Sequence, residues 1–354
     1  MNTRILSCFL LFVFLFSSAA TQAAGSLYAV EVPVADGSPD ARKAAIREAF
    51  ELVLVKASGH RELKGRAGMT ELLENAGNHV QQFRYRTRPA EDGAGEQRWL
   101  WVAFEKGTVR KALRKLGLSV WEQGRPEVLV WLAREQKGRR GLVDPERDAG
   151  VLRALRDAAS RRGLPLLFPL MDLQDQSALR VSDVWTADRQ ALERASSRYA
   201  AQAVLAGRLR EKGNRWLGKW TLFLADSEKT FDSSGVDEAG AVSEGLDKVM
   251  DWLASRYVPA VDSESAELVR VRFLNVKTLK DYFTIMTLLE SLDALTGVAV
   301  QASIGDQLLV RARVRGGPDI LVQRLSLETE LTPVASIPDE EQDAQDLELT
   351  YRLR

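Results

Sequence analysis

One segment narrows the folds open to this chain more than any other. Val128-Leu129-Val130-Trp131-Leu132-Ala133 is apolar at every position. A strand sends successive side chains to opposite faces, so this run is apolar on both. It needs cover above and below, as a strand does in a parallel sheet flanked by helices. The neighbouring pattern agrees. A helix from about Pro145 to Arg162 leads to a second apolar strand, Leu164 to Leu170. Another helix, about Ala187 to Ala200, feeds a third, Ala203 to Leu209. Apolar strands alternating with helices imply parallel crossovers. Lys212-Gly213-Asn214 then turns the chain into a strand with Trp216, Gly218, Trp220, Leu222 and Leu224 on one face, and a helix from Glu238 to Tyr257 follows.

Two further modules flank this one. In the first, Leu27 to Val34 reads as a strand. Ser38 caps a helix with Pro39 at its first position, and Gly59 ends it. A short helix near Met69 to Ala76 precedes a strand pair, Val80 to Arg88 and Gln97 to Glu105. On the first strand Phe83 and Tyr85 are expected to be buried, with Arg84, Arg86 and Arg88 wet. The second is apolar on both faces and therefore central, and a helix from Thr108 to Leu116 closes the unit. The last module reads strand (Leu268 to Val276), helix capped by Thr278, two strands joined at Gly305-Asp306, helix from Gly316-Gly317-Pro318, and a final strand after the acidic stretch 339–346. Val298, Val300, Ala302 and Ile304 are expected to share one face of the first hairpin strand. That order, β-α-β-β-α-β, is ferredoxin-like. The fold class expected is thus α+β and α/β in three modules, 25–124, 125–262 and 263–354. The middle sheet is partly parallel and the last module ferredoxin-like.

Residues 1–24 carry one arginine, an apolar run from Ile5 to Phe16, and then small residues to Ala24. That order is a secretory signal peptide, with cleavage near Ala24. The run is shorter than the roughly 20 residues of a membrane span. The single cysteine, Cys8, lies within this leader, so cysteine-held metals and disulfides are excluded from the mature chain. Two histidines, His60 and His79, are too few for most histidine-built metal sites. No cofactor or metal is expected. Residues 25–162 hold 26 Lys and Arg against 19 acids, and residues 163–354 hold 22 against 30. The basic front and acidic rear read as ordinary surface mixing. No basic run interleaved with aromatics suggests nucleic-acid binding.

Several segments have the order and spacing of a known family. They are 54–63 (LVKASGHREL), 80–86 (VQQFRYR), 125–133 (RPEVLVWLA), 162–167 (RGLPLL), 183–185 (DVW) and 195–199 (ASSRY). Together they resemble the exported Gram-negative proteins of domain of unknown function 2066, over most of the mature chain. The resemblance implies export and carries no activity or catalytic residue. More loosely, the helix Ala41 to Ala57 and the second module resemble modules of periplasmic and outer-membrane assembly factors.

Four features invite a functional reading. His60 and Arg61, just past a helix end, could form a base or partner contact, or a solvated loop in which Arg61 pairs with an acid. Glu135 and Asp172 follow the first two apolar strands, with Asp175 three residues on. Ligands in open α/β sheets bind beyond such strand ends. Acids there are also ordinary helix caps. Trp99, Trp101, Trp216 and Trp220 could stack on glycan rings or pack in the core. Arg84, Arg86 and Arg88 form a positive stripe that could meet an anionic partner or guard a strand edge. Lys137 to Gly141 lacks the phosphate-loop pattern and reads as a mobile loop. No nucleophile elbow occurs. The reading that follows is a non-catalytic, periplasmic binding or adaptor protein of the cell envelope. Its partner is an envelope protein or glycan, and it has no nucleic-acid partner and no transmembrane segment after cleavage. The alternative is an exported hydrolase or glycan-active enzyme using Glu135 and Asp172.

Overall fold

The computed structural model describes residues 27–89, 95–122, 124–225, 227–258, 266–292, 294–334 and 347–354. The expected leader, 1–24, and the acidic stretch, 339–346, lie outside them. The described chain forms three sheets, of which the middle one contains a parallel pair.

The first sheet is built from β1 (Ala29–Pro33), β2 (Val80–Pro89) and β3 (Glu96–Phe104), packed against α1 (Pro39–Ser58), α2 (Met69–Glu74) and α3 (Lys106–Lys115). Its order is β1-β3-β2, antiparallel throughout. Ser38 Oγ accepts from the Ala41 N–H at 3.1 Å, and Gly59 closes α1 with a left-handed φ of 75°. Phe50, Val53 and Leu54 on α1 bury against Leu100, Val102 and Phe104 of β3, the central strand as expected. The expected burial of Phe83 and Tyr85 is not found. They are 42% and 38% exposed. The register puts them on the helix side, opposite Val102 and Leu100. But β2 is the outer strand, and its exposure shows that the helices leave it uncovered.

The middle sheet contains β4 (Val128–Gln136), β5 (Arg139–Leu142), β6 (Leu166–Leu167), β7 (Ala203–Lys212), β8 (Arg215–Phe223) and β9 (Glu228–Gly235). Its order is β5-β4-β7-β8-β9, and β6 also pairs with β4. β4 is parallel to β6 and β7, and the other pairings are antiparallel. Both faces of β4 are covered. Val128, Val130 and Leu132 enter one core with α4 (Ala149–Arg162) and α8 (Glu238–Tyr257). Leu129, Trp131 and Ala133 enter another with α6 (Val181–Thr186) and α7 (Arg189–Ser196), which follow the short α5 (Leu173–Ala178). The expected strand from Leu164 to Leu170 shrinks to two residues. Pro165 and Pro169 bracket it, and a proline has no N–H for a ladder. The expected loop at Lys137 to Gly141 is instead a tight hairpin. Lys137 and Gly138, with φ of 51° and 76°, form its turn.

The third sheet contains β10 (Ala266–Leu274), β11 (Leu295–Ile304), β12 (Gln307–Arg315), β13 (Leu331–Val334) and β14 (Leu347–Leu353). With α9 (Leu279–Ser291) and α10 (Pro318–Leu325) it follows the β-α-β-β-α-β order, and β13 adds one edge strand. The order is β11-β12-β10-β14-β13, with β10 parallel to β14. A bulge between Val300 and Ala302 breaks the expected alternation of β11. One extra residue reverses the phase, so Ala302 pairs with Leu309 and Ile304 is 74% exposed. No helix among the described residues is long and apolar enough to cross a membrane.

Candidate functional site

The side of the first sheet away from its helices carries arginines over tryptophans. The β2–β3 register sets Arg84 beside Trp101 and Arg86 beside Trp99. The Arg84 guanidinium lies 4.3 Å from the Trp101 ring centroid, and that of Arg88 lies 5.2 Å from Trp99. On the other side of β3, Glu31 of β1 stands opposite Trp101. Arg86 reaches Glu31 at 3.6 Å, and Arg88 also pairs with it. Three cations and one carboxylate thus lie across two half-buried indoles. Each exposed cation–π pair contributes about 0.5–1 kcal/mol. Phe83 and Tyr85 lie edge-to-face on the opposite side of β2, 6.3 Å apart, beneath Arg42 and Arg98. The outer edge of β2 has no strand beside it among the described residues. The arginine stripe is visible in the sequence. The stacking is not, because it depends on pairing between two separate strands.

His60 and Arg61 share a second site. Past the Gly59 cap, the chain runs along α8, where Arg162 of α4 joins them. Arg162 is 3% exposed and donates to Gly59 O at 2.9 Å, Asp247 Oδ1 at 2.5 Å and Asp251 Oδ1 at 2.6 Å. Arg61 lies 3.6 Å from the other Asp251 oxygen. His60, Arg61, Glu62, Arg66 and Asp251 line an open cleft of about 390 Å³. Burial, reinforced by Arg66, holds the His60 pKa below its ordinary value against the opposing pull of Asp251. The lowered pKa keeps the imidazole neutral near pH 7. Gly59 and Trp121 are in close contact here, and a methyl added to Gly59 would sit 2.9 Å from the indole.

Glu135 and Asp172 are held apart, each by its own arginines. Glu135 at the end of β4 pairs with Arg140 of β5 and, at 3.1 Å, with Arg210 of β7. Those cations, Arg140 first, hold its pKa low. Asp172 caps α5, accepting from the Asp175 N–H at 3.0 Å, and forms a forked pair with Arg198 at 2.9 and 3.0 Å. The same arginine keeps its pKa low. The two carboxylates share no partner. The cluster that does form is Asp172, Asp175, Arg198 and Tyr199, with Tyr199 Oη donating to the buried Asp175 at 2.5 Å. Arg198 and Tyr199 fall within the segment 195–199, but the sequence does not mark them as partners of Asp172 and Asp175, because only the fold brings the two segments together. Trp216 and Trp220 are 9% and 0% exposed and serve the core, so neither can stack on a glycan. Among the described residues, no three His, Cys, Asp or Glu side chains gather as a metal site.

A family model described as Domain of unknown function (DUF8605) matches residues 20–122. This overturns the resemblance to domain of unknown function 2066. The matching model is a different one and spans the first sheet and its helices rather than most of the chain. Gram-negative export, which that resemblance implied, loses its basis with it. No curated protein matches the chain. Three solved structures show partial likeness. The N-terminal domain of Thermus thermophilus Protein Y is 13% identical over 21% of this chain and 80% of its own, with a TM-score of 0.15. The LpoB C-terminal domain from Salmonella enterica is 17% identical over 31% and 81%, with a TM-score of 0.23. A formyltetrahydrofolate deformylase from Pseudomonas putida KT2440 is 10% identical over 56% and 90%, with a TM-score of 0.16. At those scores none bears on function.

Proposed function

We propose that this chain is an exported, non-catalytic binding or adaptor protein of the cell envelope. It works in the periplasm as three modules, 25–124, 125–262 and 263–354. The observation that carries the reading is the first sheet. Among the described residues it pairs an uncovered arginine–tryptophan face with a free edge strand that also exposes Phe83 and Tyr85. Exposed aromatics beside arginine are the side chains that dominate protein interfaces. A free edge adds backbone donors and acceptors to which an extended partner segment can pair. The leader pattern of residues 1–24 supports export. The partner that fits is an envelope protein presenting acidic groups. In-cell crosslinking of the tagged protein, then capture and mass spectrometry, tests this. One reproducible envelope protein is expected, lost in the Arg84→Glu/Arg86→Glu variant. Recovery of nucleic acid, or of the same protein with the reversed variant, would count against the reading.

A further inference from the structure

The third sheet has a second arginine face, on the side away from α9 and α10. Strand β12 alternates cleanly: Leu308, Val310, Ala312 and Val314 are buried, and Arg311, Arg313 and Arg315 point the other way. β10 adds Arg270 and Arg272 on that side, and β14 adds Arg352. Among the described residues Glu348 of β14 lies on this side too, 2.6 Å from Arg272. Arg270 sits directly opposite Arg311 in the β10–β12 register. On the other flank β11 sets Ala299 beside Arg311 and Gly297 beside Arg313, residues too small to cover the guanidinium heads. Arg311 and Arg313 are exposed, and neither guanidinium has an ion pair or hydrogen bond among the described residues.

We propose that this face docks an extended acidic segment of a partner protein, gripped by Arg311 and Arg313. Three features favour a polypeptide. Alternate residues of β12 recur about every 7 Å, the same interval as alternate side chains of an extended peptide laid along it. The planar guanidinium fork matches a carboxylate in two-point contact. Phe273 and Tyr351 both point into the core, so the face offers nucleobases no aromatic platform on which to stack. Leu268, opposite Arg313 and 38% exposed, gives an apolar footing between the charges. This inference rests on a different sheet from the proposed function and stands or falls separately.

The test uses the full chain and a fluorescein-labelled peptide of alternating Glu and Thr, followed by anisotropy at low and high salt. Binding that weakens with salt is expected, with a loss of about tenfold in Arg311→Ala/Arg313→Ala. Lys43→Ala/Arg47→Ala, at exposed positions of α1, should bind as the parent does. Far-ultraviolet circular dichroism checks folding. If the double variant does not fold, the Arg311→Lys/Arg313→Lys pair keeps the charge, loses the fork and should bind more weakly than the parent. Undiminished binding by the folded variant would overturn the proposal. So would a preference for oligo-deoxythymidine, or for vesicles of phosphatidylcholine and phosphatidylglycerol, over the peptide. Binding that emerges only in Asp339→Asn/Glu340→Gln/Glu341→Gln would assign the face to the chain's own acidic stretch and equally overturn a partner.

Discussion

Trp220 occupies space that three glycines leave open. A methyl built on Gly245 of α8 would lie 2.1 Å from its Nε1, and methyls on Gly207 and Gly218 would lie 2.6 and 2.7 Å from the same indole. The ring is held in place, because Nε1 donates to Ser233 Oγ at 2.8 Å and Ser233 donates on to Ala241 O at 2.7 Å. A helix normally gains about 1 kcal/mol when alanine replaces glycine. Here the incoming methyl meets a rigid, fully buried ring, and overpacking of that kind costs roughly 1–3 kcal/mol, with the most severe contacts at the upper end. The clash outweighs the propensity. Gly245→Ala should therefore lower the urea midpoint, while Gly150→Ala, with nothing within 4 Å of the new methyl, should leave it unchanged or raise it. Equal midpoints for parent and Gly245→Ala would show that the indole can move aside.

At the scale of elements, the β4–β5 hairpin depends on two left-handed residues, Lys137 and Gly138. A two-residue loop with both φ positive matches the twist of its strands, and asparagine followed by glycine suits it best. Lysine in that region costs about 1 kcal/mol that glycine avoids. Lys137→Asn should raise stability by a few tenths to about 1 kcal/mol, and Gly138→Val should lower it by about 1–2 kcal/mol. Chemical denaturation of both variants measures this, and unchanged midpoints would mean that the turn adds little to stability. The same contrast explains what could be read from the sequence. Helices with side-chain or glycine caps, α1 and α8 among them, were plain, as were the doubly apolar β4 and the central β3. Elements lacking periodicity were not. β9 has one large apolar residue, Phe231, in a polar run, and β13 contains Pro333, which an edge strand tolerates. The bulge in β11 leaves no mark on composition at all. For the candidate surfaces, the arginine stripe on β2 could be read as exposed. The tryptophans beneath it and the matching stripe on β12 needed strand register, because each arises from residues that only pairing brings together.

For the whole molecule, cations tie one sheet to the next through main-chain oxygens. Arg125 donates to Lys56 O at 2.5 Å, Arg162 O at 2.9 Å and Gly163 O at 3.0 Å, joining α1 to α4. Arg324 of α10 donates to Tyr257 O at 2.7 Å, and Trp121 stacks on the Tyr257 ring at 6.1 Å. A carbonyl oxygen is present at every residue, so no sequence pattern announces such bonds. His60 lies beside the first of these seams, among the cations Arg61, Arg66 and Arg162 and the carboxylates Glu62 and Asp251. Its pKa in the folded chain is below the ordinary histidine value, because of burial first and Arg66 second. The unfolded chain therefore takes up the proton at a higher pH than the folded one. Above about pH 6.5 both forms are neutral and the residue has no effect on stability. As pH falls through that value the unfolded state gains the proton first, and stability declines until the folded form is protonated as well. His79, also held low by burial and by Lys115, acts in the same window. Unfolding midpoints recorded from pH 8 down to pH 5 should fall for the parent, less for His60→Gln, and least when His79→Gln is added. The carboxylates held low by arginine, such as Asp172, act only at more acidic pH, so they cannot mimic the trend. Parallel curves for parent and His60→Gln would mean that the seam does not feel this proton. A flattened curve would show that the proton taken up at this junction accounts for the loss of stability in that range.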